Sequence, residues 1–303
     1  MDGPGDLTVR IARSALPPGA FRENSDATLE AIDELTFQAR AQGRQAISKT
    51  MSRRRFYAPP SAFLRDKKSV TLSAEETRHA RDVLRLQRGD EVYVFDGEGR
   101  EYLCAVNKFA RDCSLLDMLQ EVEPARSESP LQLTLAVALL KGEKFDLVVQ
   151  KATELGVRRL VPVATARADV QVRNAADAQR KMTRWRRIAI EAAKQCGRAR
   201  LLQIEEPTAF VSLINCAAPD AEPRLIFGAR DGASLAELLA DLQNRRAGII
   251  ALVGSEGGWA DDEIAQARVA GWTMVTLGGR TLRAETAAIV AATLLQHRFG
   301  DLV

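Results

Sequence analysis

The chain of 303 residues is long enough for two domains with hydrophobic cores of their own, and 46% hydrophobic and 27% charged residues are ordinary for a globular protein. Its 43 basic and 40 acidic residues leave a net charge of only +3, so the distribution of charge says more about partners than the total. The N-terminus is not a secretory signal and no apolar run is long enough to cross a bilayer, so we expect a soluble, cytoplasmic protein without a membrane partner.

Cysteine and histidine usage argues against a metal centre. The four cysteines are Cys104, Cys113, Cys196 and Cys216. None stands in a C-x-x-C pair, and His79 and His297 are the only histidines. A structural zinc site takes four Cys or His ligands, typically in closely spaced pairs, so we expect no metal. A disulfide framework is equally poorly supported, which leaves reduced thiols as the expectation.

Residues 1–51 differ from the rest of the chain. Pro17-Pro18-Gly19 interrupts any regular element, and only residues 29–42 have a helical pattern. Met51 is followed directly by SRRRFYAPP, which reads like the start of a folded domain. We expect residues 1–51 to be an extension, either disordered or arising from an upstream start codon, and assign it no function.

Residues 52–124 are predicted to form a small β-barrel. RRFYAP is a short strand ended by Pro59-Pro60, and Ser73 with two following glutamates is typical of a capped helix running to Leu84. EVYVFDGEGREYLCAV, at 91–106, has two alternating runs about a Gly-rich turn, which is the pattern of a hairpin, and CSLLDMLQEV is a third run. Several short strands with one helix favour a barrel over a sandwich.

A polar linker, EPARSESP, leads into residues 131–303, where strands and helices alternate. LQLTLAVALL is a near-continuous apolar strand, as expected where both faces of a parallel sheet are covered. Further strands are predicted at RLVPV, RLIFGA, GIIALVG and TMVTLGG. Helices are predicted from Phe145, at about 176–196, after Ser234, after a cap at Asp261 or Asp262, and after Arg283. The alternation predicts an α/β domain with a mostly parallel sheet.

Two glycine-rich loops dominate the C-terminal half. VGSEGGW, at 253–259, directly follows the strand GIIAL, and LGGRTLRAETA, at 277–287, directly follows TMVTL. Glycines at the carboxyl ends of parallel strands let the backbone approach a ligand, and open α/β sheets usually bind ligands at that edge. Tight βα connections explain one such loop equally well. Two loops that carry glutamates and an arginine pair favour a ligand site.

The same loops exclude two common nucleotide motifs. Neither matches G-x-G-x-x-G or the P-loop, and no Ser-His-Asp arrangement is readable with two histidines. Because acid-base groups are few, a reaction that depends mainly on positioning is favoured. Methyl transfer from a sulfonium is such a reaction, since the donor carries its own activation.

VGSEGGWADDEI at 253–264, followed by TLGGRTLRAETAAIVA at 276–291, resembles the signature of the 16S ribosomal RNA uracil-N3 methyltransferases of the SPOUT superfamily. Supporting segments, in the family's order, are RRFYAP, HARDVLRLQRGDEVYVFDG, KGEKFDLVVQKATELGV and RWRRIAIEAAKQCGR, so that the match spans about 53–298. The resemblance implies a PUA-like β-barrel at 52–124. It also implies a SPOUT methyltransferase domain at 131–303 with a C-terminal trefoil knot.

The resemblance implies that both loops bind S-adenosylmethionine. By matching position, the cofactor-binding residues are Gly228, Gly254, Glu256, Gly257, Gly258, Leu277, Gly278, Leu282, Thr286 and Ala287. Two residues depart from the family's pattern. Ser255 stands where proline is usual, which is expected to loosen the first loop. Lys194 stands where an acidic residue is usual, which is expected to alter RNA contacts.

The implied reaction is methylation of N3 of a specific uridine in 16S ribosomal RNA of the small ribosomal subunit. Arg283 and Glu285 are the predicted catalytic residues. Arg283 would stabilise the negative charge that develops on the uracil oxygens, and Glu285 would fix Arg283 or accept the N3 proton. The alternative is that the two residues form a structural pair holding the loop.

Basic residues are concentrated at 53–55, 78–88 and 180–200 of a nearly neutral chain. Three clusters indicate a phosphate-binding surface, whereas a single one is usually a solvated helix face. The predicted RNA-binding residues are Arg54, Arg55, His79, Arg85, Arg88, Arg184, Arg187 and Arg198.

The last helical segment, TAAIVAATLL, is apolar nearly all round and must be buried on several sides. The resemblance implies a homodimer interface there, and burial within one subunit is the alternative. Other functions stay open: a non-catalytic RNA-binding ribosome assembly factor, or a SPOUT methyltransferase with a different RNA target. A nucleotide-dependent oxidoreductase is disfavoured by the missing dinucleotide fingerprint.

Overall fold

The computed structural model of the chain describes residues 53–64, 68–216, 222–228, 232–235, 237–238 and 248–302. The extension predicted at 1–51 lies outside the described residues. The described strands form two sheets, one of five strands and one of eight. Over the described ranges, no helix combines the length and the apolar character needed to span a lipid bilayer.

The first sheet has the strand order β1-β3-β4-β5-β2. Its strands are β1 (Arg55–Tyr57), β2 (Ser69–Leu72), β3 (Glu91–Phe95), β4 (Glu101–Phe109) and β5 (Ser114–Val122). The β3–β4 hairpin and the third run β5 are antiparallel as predicted, while β1 pairs with β3 in parallel. Val92 and Val94 point into the core on one face, as the alternation of a half-buried strand requires.

A short helix, α1 (Ala74–Arg78), follows β2 and continues as a π-helical turn over His79–Val83. Ser73 caps it as predicted, because its hydroxyl accepts a hydrogen bond from the Glu76 backbone N–H at 3.3 Å. The helix and the five strands enclose a core of their own around Phe56 and Leu116.

The second sheet has the order β11-β13-β10-β12-β6-β7-β8, with β9 also paired to β7, and each of these pairs is parallel. Its strands are β6 (Gln132–Ala138), β7 (Arg159–Ala164), β8 (Gln203–Ile204), β9 (Thr208–Ala209), β10 (Arg224–Phe227), β11 (Ala233–Ser234), β12 (Gly248–Val253) and β13 (Thr273–Thr276). All residues of β12 are buried, as expected for a strand covered on both faces. The predicted parallel α/β sheet is confirmed.

The helices of this part are α2 (Lys144–Glu154), α3 (Ala175–Cys196), α4 (Phe210–Ile214), α5 (Asp261–Val269) and α6 (Ala284–Phe299). α3 matches its predicted range within one residue, and Asn174 caps it by accepting from the Asp177 backbone N–H at 2.9 Å. Phe145 of α2 packs on Trp185 of α3 with ring centroids 4.4 Å apart. α6 begins after Arg283 as predicted.

The predicted cap of α5 is wrong. Ala260 precedes the first turn, and Asp261 and Asp262 are already helical. Alanine has no side-chain acceptor, so the start of the helix is stabilised by Glu263 of its first turn. The Glu263 carboxylate accepts from the backbone N–H of Ala260 and of Ala166, both at 2.9 Å. Its negative charge also suits the positive end of the helix. The helix predicted after Ser234 lies largely outside the described residues.

A buried arginine joins the two sheets. Arg55 of β1 is only 7% exposed, and its guanidinium donates to the Glu101 carboxylate at 2.9 Å. It also donates to the Ala193 carbonyl at 2.7 Å and to the Arg198 carbonyl at 2.9 Å. The Ala193 carbonyl also accepts from the capping N–H of Gly197, and the Arg198 carbonyl lies just beyond the end of α3. Arg55 therefore binds the five-stranded sheet to the C-terminal end of α3.

A second buried arginine, Arg198, follows the end of α3 and binds other backbone carbonyls. Arg198 is 5% exposed and donates to the Thr153 carbonyl at 2.8 Å, the Val157 carbonyl at 3.1 Å and the Glu128 carboxylate at 2.8 Å. Arg55 and Arg198 were predicted to bind RNA, and the structure corrects this. Their guanidinium groups are buried and occupied by internal acceptors, so they are not available to phosphates.

We predict that Arg55→Met lowers the free energy of unfolding by about 3 kcal/mol, because it leaves the fully buried Glu101 carboxylate with only the partly exposed Arg53 as a cation and removes donors from the Ala193 and Arg198 carbonyls. Urea denaturation measures the change. Arg54→Met is the matched control: the neighbouring exposed arginine should change stability by less than about 0.5 kcal/mol. Equal effects of the two variants would contradict the structural role of Arg55.

Candidate functional site

Three loops meet at one edge of the second sheet. β13, β10 and β12 are adjacent and parallel, and their registers place Phe227 beside both Val253 and Val275. The segments that begin at Gly228, Gly254 and Leu277 therefore leave the sheet side by side. The structure thus brings together the two glycine-rich loops and Gly228, which the resemblance assigned to the same cofactor site.

Trp259 determines the course of the first loop. Its indole N–H donates to the Phe227 carbonyl at 2.7 Å, which ties the end of the loop to the neighbouring strand. The ring lies so close to Gly254 that a Cβ there would be 3.0 Å from it. A Cβ on Gly257 would be 2.7 Å from the Arg167 carbonyl. A side chain at Gly257 would collide with this carbonyl, and one at Gly254 would crowd the Trp259 ring. Gly254 is buried, whereas Gly257 is exposed.

Ser255, which stands where the family usually has proline, is buried in this loop. Its hydroxyl donates to the Arg167 carbonyl at 3.0 Å, and its own carbonyl accepts from the Gly258 backbone N–H at 3.0 Å. Proline has no hydroxyl to make the first of these bonds. The loop is therefore held to the segment after β7 by a hydrogen bond rather than by a rigid ring.

The second loop is more open. Gly278 has a φ of +110° and nothing lies within 4 Å of where its Cβ would be. Leu277 and Ala287 are half-buried and pack against the hydrophobic core, while Leu282 is half-buried and Thr286 is exposed. The half-buried apolar side chains of this loop thus lie next to the exposed backbone of Gly278 after β13.

A lysine that the sequence did not single out lies at the same edge. Lys144, the first residue of α2, forms an ion pair with Glu256 of the first loop. This bond raises the pKa of Lys144 and lowers the pKa of Glu256. The charges of Glu285 and Arg283 also act on Lys144. In the sequence, KGEKF stands out only as part of a segment that resembles the family. Nothing in its pattern indicates which of its two lysines contacts a loop more than a hundred positions away.

Glu285 lies in the first turn of α6 and is buried. One of its carboxylate oxygens, Oε2, is buried without a hydrogen-bond partner among the described residues. Arg283 is exposed and, within the described part of the chain, forms no ion pair with Glu285. The alternative that the two form a structural pair is therefore not supported. A buried acceptor without a donor is costly, which makes Glu285 a candidate for contact with a bound molecule.

The predicted RNA-binding residues that remain are on the surface. Arg54, Arg85, Arg88, Arg184 and Arg187 are exposed, although Arg184 forms an ion pair with Asp146 of α2. His79 is half-buried, with its ring against Phe56 at a centroid distance of 6.0 Å. Among the described residues, no three Cys, His, Asp or Glu side chains are arranged to hold a metal ion.

Lys194 does not lie on an open surface. Its ammonium donates to both oxygens of Glu76 in α1 and to Glu191, each at 3.1 Å, and its side chain is almost buried. Burial raises the pKa of Glu76, although the charge of Lys194 opposes the shift. This departure from the family's pattern connects α3 to the first sheet.

Comparison with known proteins identifies the class of protein to which the chain belongs. An RNA methyltransferase domain model matches residues 127–296, and an RNA methyltransferase PUA domain model matches residues 72–109. A methyltransferase from Legionella pneumophila, solved in complex with the bound cofactor SAM, has a TM-score of 0.75 at 30% identity, covering 83% of this chain and 100% of that one. The chain has the fold and the domain models of an RNA methyltransferase with a PUA domain.

Two related proteins identify the family within this class of RNA methyltransferases. Ribosomal RNA small subunit methyltransferase E of Synechocystis sp. is 34% identical over 223 residues, which are 74% of this chain and 71% of the relative. The crystal structure of ribosomal RNA small subunit methyltransferase E from Neisseria gonorrhoeae, bound to S-adenosyl methionine, is 30% identical with a TM-score of 0.73, covering 83% of this chain and all of that one. The chain belongs to the ribosomal RNA small subunit methyltransferase E family, which confirms the resemblance carried by the two glycine loops.

We predict a pH-dependent effect of Lys194→Met. Burial has raised the folded-state pKa of Glu76, and loss of the cation raises it further. The folded chain then binds this proton more tightly than the unfolded chain. Stability is therefore retained below the unfolded pKa of about 4.3 and lost as pH rises through the folded pKa.

Urea denaturation should show Lys194→Met less stable than wild type by about 2 kcal/mol at pH 8 and nearly equal to it at pH 4. Lys151→Met, which breaks the more exposed Lys151–Glu154 pair, is the control and should lose less than about 1 kcal/mol at either pH. A loss of the same size at both pH values would contradict the coupling of Lys194 to Glu76.

Proposed function

We propose that this chain methylates N3 of a specific uridine in 16S ribosomal RNA of the small ribosomal subunit, with S-adenosylmethionine as methyl donor. The observation that carries the proposal is the meeting of three strand-end loops at one edge, next to a buried carboxylate oxygen without a donor. The two related structures solved with this cofactor support the donor. The relatives' name supports the ribosomal RNA, and the uridine follows from the resemblance of the two loops.

The loops fit the cofactor. Gly257, which packs closely on the Arg167 carbonyl, is exposed, and the half-buried apolar side chains of the second loop suit an adenine ring. The proposed cofactor-binding residues are Gly228, Gly254, Glu256, Gly257, Gly258, Leu277, Gly278, Leu282, Thr286 and Ala287. When bound, the cofactor supplies an electrophilic methyl group on a sulfonium.

Glu285 in α6 and Arg283 immediately before this helix prepare the uracil for methyl transfer. N3 becomes a nucleophile when its proton leaves, and Glu285 Oε2 is an acceptor that lacks a donor until an N–H reaches it. Arg283, exposed immediately before α6, faces the carbonyl oxygens of the base and stabilises the negative charge that develops there. The burial of Glu285 keeps water away from the proton that it takes.

RNA lies across the exposed basic residues Arg54, Arg85, Arg88, Arg184 and Arg187, with His79 beside them. In this proposal, residues 52–124 are the PUA-like RNA-binding domain and residues 131–303 the methyltransferase domain. The contacts to phosphates position the RNA, while the base is read at the carboxyl edge of the second sheet. A cytoplasmic location goes with a ribosomal substrate.

The proposal includes a trefoil knot and a homodimer. The knot is supported by β13, which follows β12 in the chain but lies on the far side of β10, and by α6, which returns to pack on β6 and β12. The homodimer is supported by Leu147 of α2 and Leu294 of α6, large apolar side chains that are exposed on two helices in contact with each other.

We predict that Arg283→Ala and Glu285→Gln each lower the rate of methyl transfer by about a hundredfold or more while the cofactor still binds. The assay transfers labelled methyl groups to small ribosomal subunits that lack the modification, with nucleoside analysis for 3-methyluridine. Arg280→Ala, an exposed arginine of the same loop, is the matched control. A methyl group on ribose or guanine would overturn the uridine assignment. Cofactor and RNA binding without transfer would favour the assembly factor.

We predict that Arg187→Gln weakens binding to the RNA regardless of base sequence and lowers the slope of log affinity against log salt by about one. Filter binding over a range of salt concentrations measures both. Arg268→Gln, an exposed arginine of α5 outside the three basic stretches, should leave the slope unchanged. An unchanged slope for Arg187→Gln would remove α3 from the RNA-binding surface.

A further inference from the structure

The ion pair between Lys144 and Glu256 connects two loops at the proposed cofactor edge. Glu256 lies in the loop after β12, and Lys144 begins the helix that follows β6. β6 and β12 are neighbours, with Val137 beside Val253 at their carboxyl ends. The pair therefore closes the side of the site opposite β13.

A second ion pair lies beside the first and differs in exposure. Lys141 and Asp169 are 2.8 Å apart, with side chains 63% and 65% exposed, whereas Lys144 and Glu256 are 37% and 36% exposed. The charges of Glu285 and Arg283 also act on Lys144. Lys144 is thus the more enclosed of the two lysines, and its partner is a residue of the glycine-rich loop.

The Lys144–Glu256 pair is neutral as a whole. A phosphate or a metal ion would bind one of its two residues and leave the other unpaired, whereas a group that carries an ammonium and a carboxylate on the same carbon would pair with both. Such a zwitterion replaces the Lys144–Glu256 bond with two charge-assisted bonds and leaves neither residue unpaired.

We propose that Lys144 and Glu256 form the subsite for the amino-acid end of the cofactor. The Lys144 ammonium binds the α-carboxylate, and the Glu256 carboxylate binds the α-ammonium. This inference rests on the proposed function, since it requires S-adenosylmethionine as the ligand. In the chain without cofactor, the two side chains are each other's partners and hold the β12 loop against the start of α2.

Calorimetric binding of three ligands to the full chain tests the subsite. S-adenosylmethionine carries both charged groups, decarboxylated S-adenosylmethionine keeps the ammonium alone, and methylthioadenosine has neither. Wild type should bind the first about tenfold more tightly than the second. Lys144→Met should lose this preference, because it binds S-adenosylmethionine about tenfold more weakly and the decarboxylated ligand at least as tightly as wild type does, since Glu256 no longer pairs with a lysine.

Further variants separate the two halves of the subsite. Glu256→Gln should weaken binding of both ammonium-bearing ligands but not of methylthioadenosine, whose unchanged affinity also shows that the loops are intact. Lys144→Arg should keep the preference for the carboxylate, which tests the inference even where the methionine variant does not fold. Lys141→Met, in the neighbouring exposed pair, should bind all three ligands as wild type does.

A wild-type preference retained by Lys144→Met would overturn the subsite and leave the cofactor site standing. Failure of wild type to bind any of the three ligands would overturn the proposed function, and the subsite with it. The two failures are therefore distinguishable in the same titrations.

Discussion

The contact between the first sheet and α3 is built around one buried guanidinium, with the Lys194–Glu76 ion pair as a second link. Arg55 reaches from β1 to the end of α3, where it donates to the backbone carbonyls of Ala193 and Arg198. Glu101 balances its charge on the other side. Both partners are buried, and loss of Arg55 would leave Glu101 with only the partly exposed Arg53 as a cation, so the contact favours one relative arrangement of the two sheets. A surface that spans both sheets can then have a fixed shape.

Local patterns in the sequence predicted the elements well, because periodicity, caps and glycine turns depend on residues near one another. The hairpin at 91–106, the range of α3 and the Ser73 cap follow from such patterns. The order of β13, β10 and β12 does not, since it depends on pairing between segments far apart in the chain. The same limit explains the two misassigned arginines. Nothing near Arg55 in the sequence distinguishes it from the exposed Arg54, because its partners lie 46 and more positions away.

The candidate site shows the same difference between local motifs, which the sequence reveals, and distant contacts, which it does not. The sequence located both glycine loops and the acidic residue at the start of α6, because each is a compact motif. It did not locate Lys144, whose interest comes from a contact with Glu256 across two strands. It could not show how Ser255 compensates for a missing proline, because the hydroxyl bonds to the carbonyl of Arg167 in a separate segment. Residues that act through distant partners are visible only once the strands are aligned.

One oxygen of Glu285, which has no donor among the described residues, links folding to binding. The folded chain buries an acceptor that an unfolded chain would expose to solvent, and this burial costs free energy. Any molecule that donates to this oxygen restores the missing bond and does so in the folded state alone. Ligand affinity at the start of α6 and the resistance of the chain to unfolding are therefore two measures of one equilibrium.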